Sequence, residues 1–267
     1  MMNKRVCKVI GIVFLLLEIA VLPEAVRLML NQHLAYLPPV SIIALSMTFG
    51  SIALCILMSY FSVSESNNYP SYTFLFELMV FVCCIAPVTD LATRVLDSAG
   101  RPELNMFINT VFYLVGINVT YFILRYEFLI IGADKKPLLK KIRLAALALT
   151  LIDNAATLLN IPFGFFFTIN ENGAYESAPT FWTAYIAPAV IIAATAVTAV
   201  REMRPGRQRR AFLSFWIFAL AASVLQIWQE ALTVQYAGYS LSLFVIYINV
   251  QSELDTVCVT ITDKEAS

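Results

Sequence analysis

Asp90 and Arg94 stand four residues apart inside a long apolar run. At that spacing two side chains share one helix face and form an ion pair. Other polar groups collect at matching positions of neighbouring apolar runs: Glu24 and Arg27, Asn105 and Asn109, Asn160, and Gln226, Gln229 and Glu230. Tyr113, Trp182, Tyr185, Trp228, Tyr236 and Tyr239 fall close to the same level. Ionisable groups in runs long enough to cross a bilayer are costly and mark function by default. Together they describe an outward-facing pocket with polar groups and aromatic walls. Its candidate ligand-binding residues are Asp90, Arg94, Asn109, Asn160, Gln226, Glu230, Trp182 and Tyr185. The competing reading is an interfacial aromatic belt with salt bridges satisfied within their own helices. Glu18 and the Asp153–Asn154 pair count to the middle of their runs. A carboxyl group there is protonated, paired across helices or part of an ion path.

Enzyme chemistry finds little to work with. His33 is the single histidine and follows the first apolar run. An intramembrane metal centre needs several clustered ligands, and a Ser–His dyad would have only His33. Asp90 and Asp153 lack the Gly-x-Gly-Asp context of an intramembrane aspartyl pair, and no Gly-rich phosphate loop occurs. Of the five cysteines, Cys83 and Cys84 are adjacent, and Cys55, Cys7 and Cys258 stand alone without a Cys-x-x-Cys motif. They read as small hydrophobes and reduced thiols. The expectation is a protein without catalytic residues, metal or cofactor.

The elements that must position these residues are plain from composition. The chain is 60% hydrophobic and 13% charged, against about 25% charged for soluble domains. Eight stretches approach the roughly 20 apolar residues a membrane helix needs: 10–30, 40–61, 72–96, 106–126, 144–166, 181–200, 211–229 and 231–250. Fifteen of the eighteen Lys and Arg residues fall in every second break between them. Lys4, Arg5 and Lys8 precede the first stretch. Arg125, Lys135, Lys136, Lys140, Lys141 and Arg143 lie between the fourth and fifth. Arg201, Arg204, Arg207, Arg209 and Arg210 lie between the sixth and seventh, and Lys264 follows the eighth. Positive residues stay on the cytoplasmic side. The expected architecture is therefore an all-α polytopic bundle of eight transmembrane helices with both termini in the cytoplasm. Residues 1–251 form the membrane domain and 252–267 a short tail. If the first stretch is a cleaved signal peptide, seven helices remain. The net charge of zero conceals this separation of sign. The basic loops suit anionic lipid headgroups, so the lipid bilayer is the expected partner and nucleic acid is not.

Local signals refine the picture. Pro87 and Pro188 each remove a helix hydrogen bond, and each is expected to kink its helix for packing or as a hinge. Ala189 and Ala193 are four apart, a spacing that permits close helix contact in lipid. Gly132-Ala133-Asp134 reads as a turn, with Pro137 opening the next helix. The outer loop 168–180 has no Lys or Arg, and Asn170-Glu171-Asn172-Gly173 has the chemistry of a hairpin turn. No internal repeat supports inverted-repeat transporter symmetry.

Residues 165–255 carry three further features: Thr-Ile-Asn-Glu-Asn-Gly-x-Tyr at Thr168–Tyr175, Trp182-x-x-Tyr185, and Tyr247-Ile248-Asn249-Val250-Gln251 at the last exit. In these the chain resembles the multi-helix membrane sensor module at the N-terminus of bacterial GGDEF diguanylate cyclases and some histidine kinases. The resemblance implies a catalytic domain after the last helix, yet no GGDEF motif occurs and 252–267 reads first as helix and then as β-branched alternation. The expected function is a sensor or receptor-like input module in a bacterial inner membrane, without its own output domain, either standing alone or truncated. An unknown extracytoplasmic small ligand would be received by the polar and aromatic cluster. The partner would be a second copy or a cytoplasmic signalling protein. The alternative is a small-solute or ion transporter using Glu18, Asp153 and Asn154, gated at Pro87 and Pro188.

Overall fold

Backbone amides surrounded by hydrocarbon must bond within their own segment, and apolar runs of this length do so as helices. The computed structural model describes residues 9–20, 39–65, 71–96, 101–132, 136–228 and 234–251. They form α1 (Val9–Ala20), α2 (Pro39–Glu65), α3 (Ser71–Leu96), α4 (Pro102–Ile131), α5 (Pro137–Phe163), α6 (Ile186–Glu202), α7 (Arg207–Trp228) and α8 (Gln235–Ile246). Between α5 and α6 lie a two-stranded hairpin, β1 (Phe167–Ile169) and β2 (Tyr175–Ser177), and a 3-10 turn, Phe181–Tyr185. After α8 the chain widens into a π-helical turn, Tyr247–Gln251.

Among the described residues, six helices are long and apolar enough to cross a membrane: α2, α3, α4, α5, the 3-10 turn continued by α6, and α7. The other two expected spans, 10–30 and 231–250, are described only in part, as α1 and as α8 with its π turn. Their remaining residues lie outside the described residues, as do the basic start of the chain and the tail 252–267.

Helix ends follow the capping signals. Pro102 and Pro137 open α4 and α5, where a missing N–H costs nothing. Gly132 and Gly164 close the same helices at φ 68° and 63°, a left-handed conformation that glycine adopts without strain. Pro188 departs from expectation. The 3-10 turn precedes it, so it falls in the first turn of α6, where its absent N–H has no intrahelical partner to lose. Pro87 does lie inside its helix.

α4 is the central element. One of its faces joins a core with α2, α3, α7 and α8 that includes Phe76, Phe112, Ile123, Phe215 and Tyr239. The other face packs Ile117, Leu124 and Phe128 on α5 and α6 through Leu139, Ala146, Ala187 and Ile191. Many hydroxyls within the bundle are satisfied along their own helices, as in Thr48 to the Ala44 carbonyl, Thr120 to Ile117 and Thr195 to Ile191. The expected close contact at Ala189 and Ala193 does not form, because Ala193 is exposed. Close approach occurs instead between α7 and α8, where a Cβ on Gly238 would sit 2.7 Å from the Phe218 carbonyl oxygen. α5 turns Leu144, Leu151, Ile152, Leu158 and Leu159 outward, as lipid permits and water does not.

An ion pair between Lys136, at the start of α5, and Glu202, at the end of α6, brings two of the basic segments to one end of the bundle. The hairpin lies at the opposite end, where the Asn105 side chain near the start of α4 donates to the Gly173 carbonyl at its tip, 2.7 Å.

Candidate functional site

The hairpin is built by its turn. Asn170 Oδ1 accepts from the amides of Asn172 and Ala174, both at 3.0 Å, and Gly173 takes φ 86°. The strands then pair Phe167 with Ser177 and Ile169 with Tyr175. Where the chain leaves α5, Asn160 secures it. Its Oδ1 accepts from the amides of Phe166 (2.6 Å) and Phe167 (3.3 Å), and its Nδ2 donates to the Phe167 carbonyl. Asn160 is fully buried, and these bonds engage both its Oδ1 and its Nδ2 in the turn. The physical reason is that amides just past a helix end still need an acceptor.

Held in this way, Phe166 and Phe167 both stack on Tyr113 of α4, with ring centroids 6.0 and 5.2 Å apart. Phe167 also stacks on Tyr175 of β2, and the hydroxyls of Tyr113 and Tyr175 meet at 2.9 Å. One residue earlier, the Phe112 carbonyl accepts the Tyr236 hydroxyl of α8 at 2.7 Å. Gly116 permits this approach, since a Cβ there would lie 3.2 Å from that hydroxyl. A second line of bonds reaches α8 from α7. Gln226 donates to the Tyr185 hydroxyl (3.2 Å) and accepts from the Gln235 amide (3.1 Å), and the Gln235 side chain donates to Tyr239 (2.7 Å). The two lines meet around a cavity of about 20 Å³ lined by Tyr113, Tyr185, Pro188, Gln235 and Tyr236, enough for about one water molecule.

No family model, curated protein or solved structure matches this chain. The functional reading therefore rests on the residues and their geometry.

The sequence-derived candidates divide. Tyr185 and Gln226 join the network, and Asn109 supports it by donating to Asn105 Oδ1 at 2.8 Å. Trp182 does not join it. It is exposed, as is Trp228 at 82%, whereas Tyr236 and Tyr239 are buried. Asp90 and Arg94 pair at 3.3 Å, and Asp90 also accepts from Thr48 of α2 at 3.2 Å. Glu18 accepts from Ser59 of α2 at 3.1 Å. Asn154 accepts from Asn118 of α4 at 3.0 Å, and its neighbour Asp153 lines an open groove between α5 and α6. Glu230, Gln229, Glu24, Arg27 and His33 lie outside the described residues. Three further groups of this arrangement were not among the candidate site residues. Tyr175 and Gln235 are ordinary polar letters until the hairpin and α8 are placed. Glu127 sits one residue past the expected end of its span, yet α4 continues to Ile131. There Glu127 is fully buried, accepting from Thr198 of α6 at 2.7 Å.

Proposed function

We propose that this chain is a membrane-embedded input module, in which an extracytoplasmic hairpin and the tyrosine–glutamine network beneath it govern α8. The observation that carries this reading is the unbroken path from Tyr175 through Tyr113 and Phe112 to Tyr236. It joins the outer hairpin to the helix that leads to the far end of the bundle. The helix it reaches ends in a π-helical turn, a local feature enriched at functional sites. That turn coincides with Tyr247–Gln251, one of the features in which the chain resembles the sensor modules, and Tyr247 is held between Phe61 of α2 and Phe76 of α3. A small ligand at the outer end shifts α8 only if it binds two arrangements of the network unequally. The proposal includes eight spans, a bacterial inner membrane, cytoplasmic termini and no catalysis by the bundle itself. The readout partner is a second copy or a cytoplasmic signalling protein.

A fusion carrying a diguanylate cyclase domain directly after Asp255 tests this. Cyclic dinucleotide production is expected, and Tyr175→Phe or Asn105→Leu should change its rate while membrane levels hold. A folded fusion whose output ignores both substitutions would count decisively against coupling through the network.

A different observation supports transport of a small solute or ion. Glu18 and Glu127 each bury a carboxyl oxygen that makes no hydrogen bond among the described residues, and carboxyls in such settings line ion paths in transporters. Uptake into proteoliposomes that vanishes in Glu127→Gln would favour that reading over the input module.

A further inference from the structure

Beneath the residues that follow α5, a lateral groove of about 400 Å³ opens between α5 and α6. Its walls are mainly apolar, with Ile152 and Ala156 of α5, Phe165 and Phe166 of the loop and Ala187 of α6; Thr180 and Thr183 also line it, and their hydroxyls donate to the Phe165 and Thr180 carbonyls. Asp153 is the one ionisable side chain lining it. Among the described residues no hydrogen bond or ion pair engages the Asp153 carboxyl group, although its neighbour Asn154 is bonded to Asn118. The volume lies within the range of small-molecule pockets, which pair apolar walls with a few fixed polar groups.

A lone carboxyl group at the middle of a membrane helix is costly without a partner. The groove narrows the choice of partner. A dehydrated metal ion needs several oxygen or nitrogen donors, and the described residues contain no cluster of three His, Cys, Asp or Glu. A phospholipid with its headgroup at the interface would lay an acyl chain across the carboxyl group and leave the cost standing. A molecule with one amino group and an apolar body meets both demands, because its charge faces Asp153 and its body replaces lipid against the aromatic wall.

We propose that this groove binds a lipophilic amine, which enters sideways from the bilayer and sets its amino group on Asp153. The inference deepens the input-module reading and rests on it for its consequence. Phe166 is both a wall of the groove and a ring stacked on Tyr113, so occupancy presses on the network that reaches α8.

The test measures binding directly and needs no signalling readout, so it can fail while the input module stands. The full chain in nanodiscs of zwitterionic lipid is photolabelled with a diazirine-bearing alkylamine, and with the alcohol of the same chain as a neutral counterpart. Labelled residues are mapped by mass spectrometry. The amine should label the Ile152–Ala156 and Phe165–Ala187 segments, and dodecylamine should displace it. Loss of a charge-assisted hydrogen bond in Asp153→Asn should weaken labelling about tenfold. Asp153→Glu should retain it, and Ala156→Trp, at a half-buried wall position, should block it by filling the groove. Asp153 is half-buried and holds no other element, so the Asn variant should keep the thermal stability of the parent. Equal labelling by amine and alcohol, indifferent to Asp153→Asn, would overturn the proposal and leave the groove a lipid surface. Disulfide capture between Ile152→Cys chains that excludes the amine would overturn it in favour of a second copy.

Discussion

The Tyr236 hydroxyl of α8 donates to the Phe112 carbonyl of α4 at 2.7 Å, and the two rings meet edge to face with centroids 4.9 Å apart. This single contact joins the outer hairpin's support to α8, because Phe112 adjoins Tyr113. Its strength can be taken apart in two steps. Tyr236→Phe removes the hydrogen bond alone and should cost about 1 kcal/mol. Tyr236→Ala removes a buried ring as well and should cost about 3–5 kcal/mol. Denaturation in detergent reads both. A Phe variant as unstable as the Ala variant would show that the hydroxyl, and not the ring, holds the helices.

Asn160 satisfies two amides and one carbonyl at the exit of α5. Asn160→Leu fits the volume but leaves those buried groups unpaired, at about 1–3 kcal/mol for each. The loss should appear as a lower unfolding temperature and as faster protease cleavage within residues 164–180. Unchanged cleavage would mean that the loop is held by its ring stacking alone.

Gly238 lets α7 and α8 approach. A Cβ there would lie 2.6 Å from Ala222 Cβ and 2.7 Å from the Phe218 carbonyl oxygen. Gly238→Ala should therefore cost about 1–3 kcal/mol through overpacking, despite the better helix propensity of alanine. A stabilised variant in the same detergent assay would disprove the tight crossing.

Arg94 is 21% exposed while its partner Asp90 is 5% exposed. The guanidinium is only partly buried, and Thr48 also serves the carboxylate. Arg94→Ala should thus cost less than the roughly 3–5 kcal/mol typical of breaking a fully buried pair. Thr48→Val combined with Arg94→Ala should exceed the sum of the two single losses, as expected for groups sharing one carboxylate. Strict additivity in that double-mutant cycle would show that the two groups act independently.

The two basic segments joined by Lys136 and Glu202 should face the cytoplasm, and Asn172 at the hairpin should face out. Cysteines placed singly at positions 140, 172 and 207, on a background lacking native cysteine, can be labelled from outside intact cells. Reaction at 172 alone is expected. Reaction at 207 without reaction at 172 would reverse the orientation.

Most of the architecture was readable in the one-dimensional pattern, and the site was only partly so. Apolar length is a local property of the chain, so the membrane-length helices follow from it directly. Asn170 and Gly173 announced the hairpin, and Pro137 announced the start of α5, because turn and cap chemistry act within a few residues. The fate of individual polar groups was not local. Asn160 and Trp182 looked alike as outer polar or aromatic residues, yet one is buried in a turn and the other faces out. Glu127 looked like a loop residue until α6 placed Thr198 against it. Rotation of each helix and the choice of its neighbours decide such outcomes. They are set by packing among surfaces far apart in sequence, as in the 124 residues between Phe112 and Tyr236. In lipid no hydrophobic force sorts those faces, because acyl chains are as apolar as leucine. Apolar periodicity therefore says little about which face of a helix turns inward. Chain chemistry alone determined that this protein forms membrane-length helices with a basic end. Only the tertiary contacts, made by close packing and by the need to pair buried polar groups, decided which residues form the network and that Asp153 is left facing a groove.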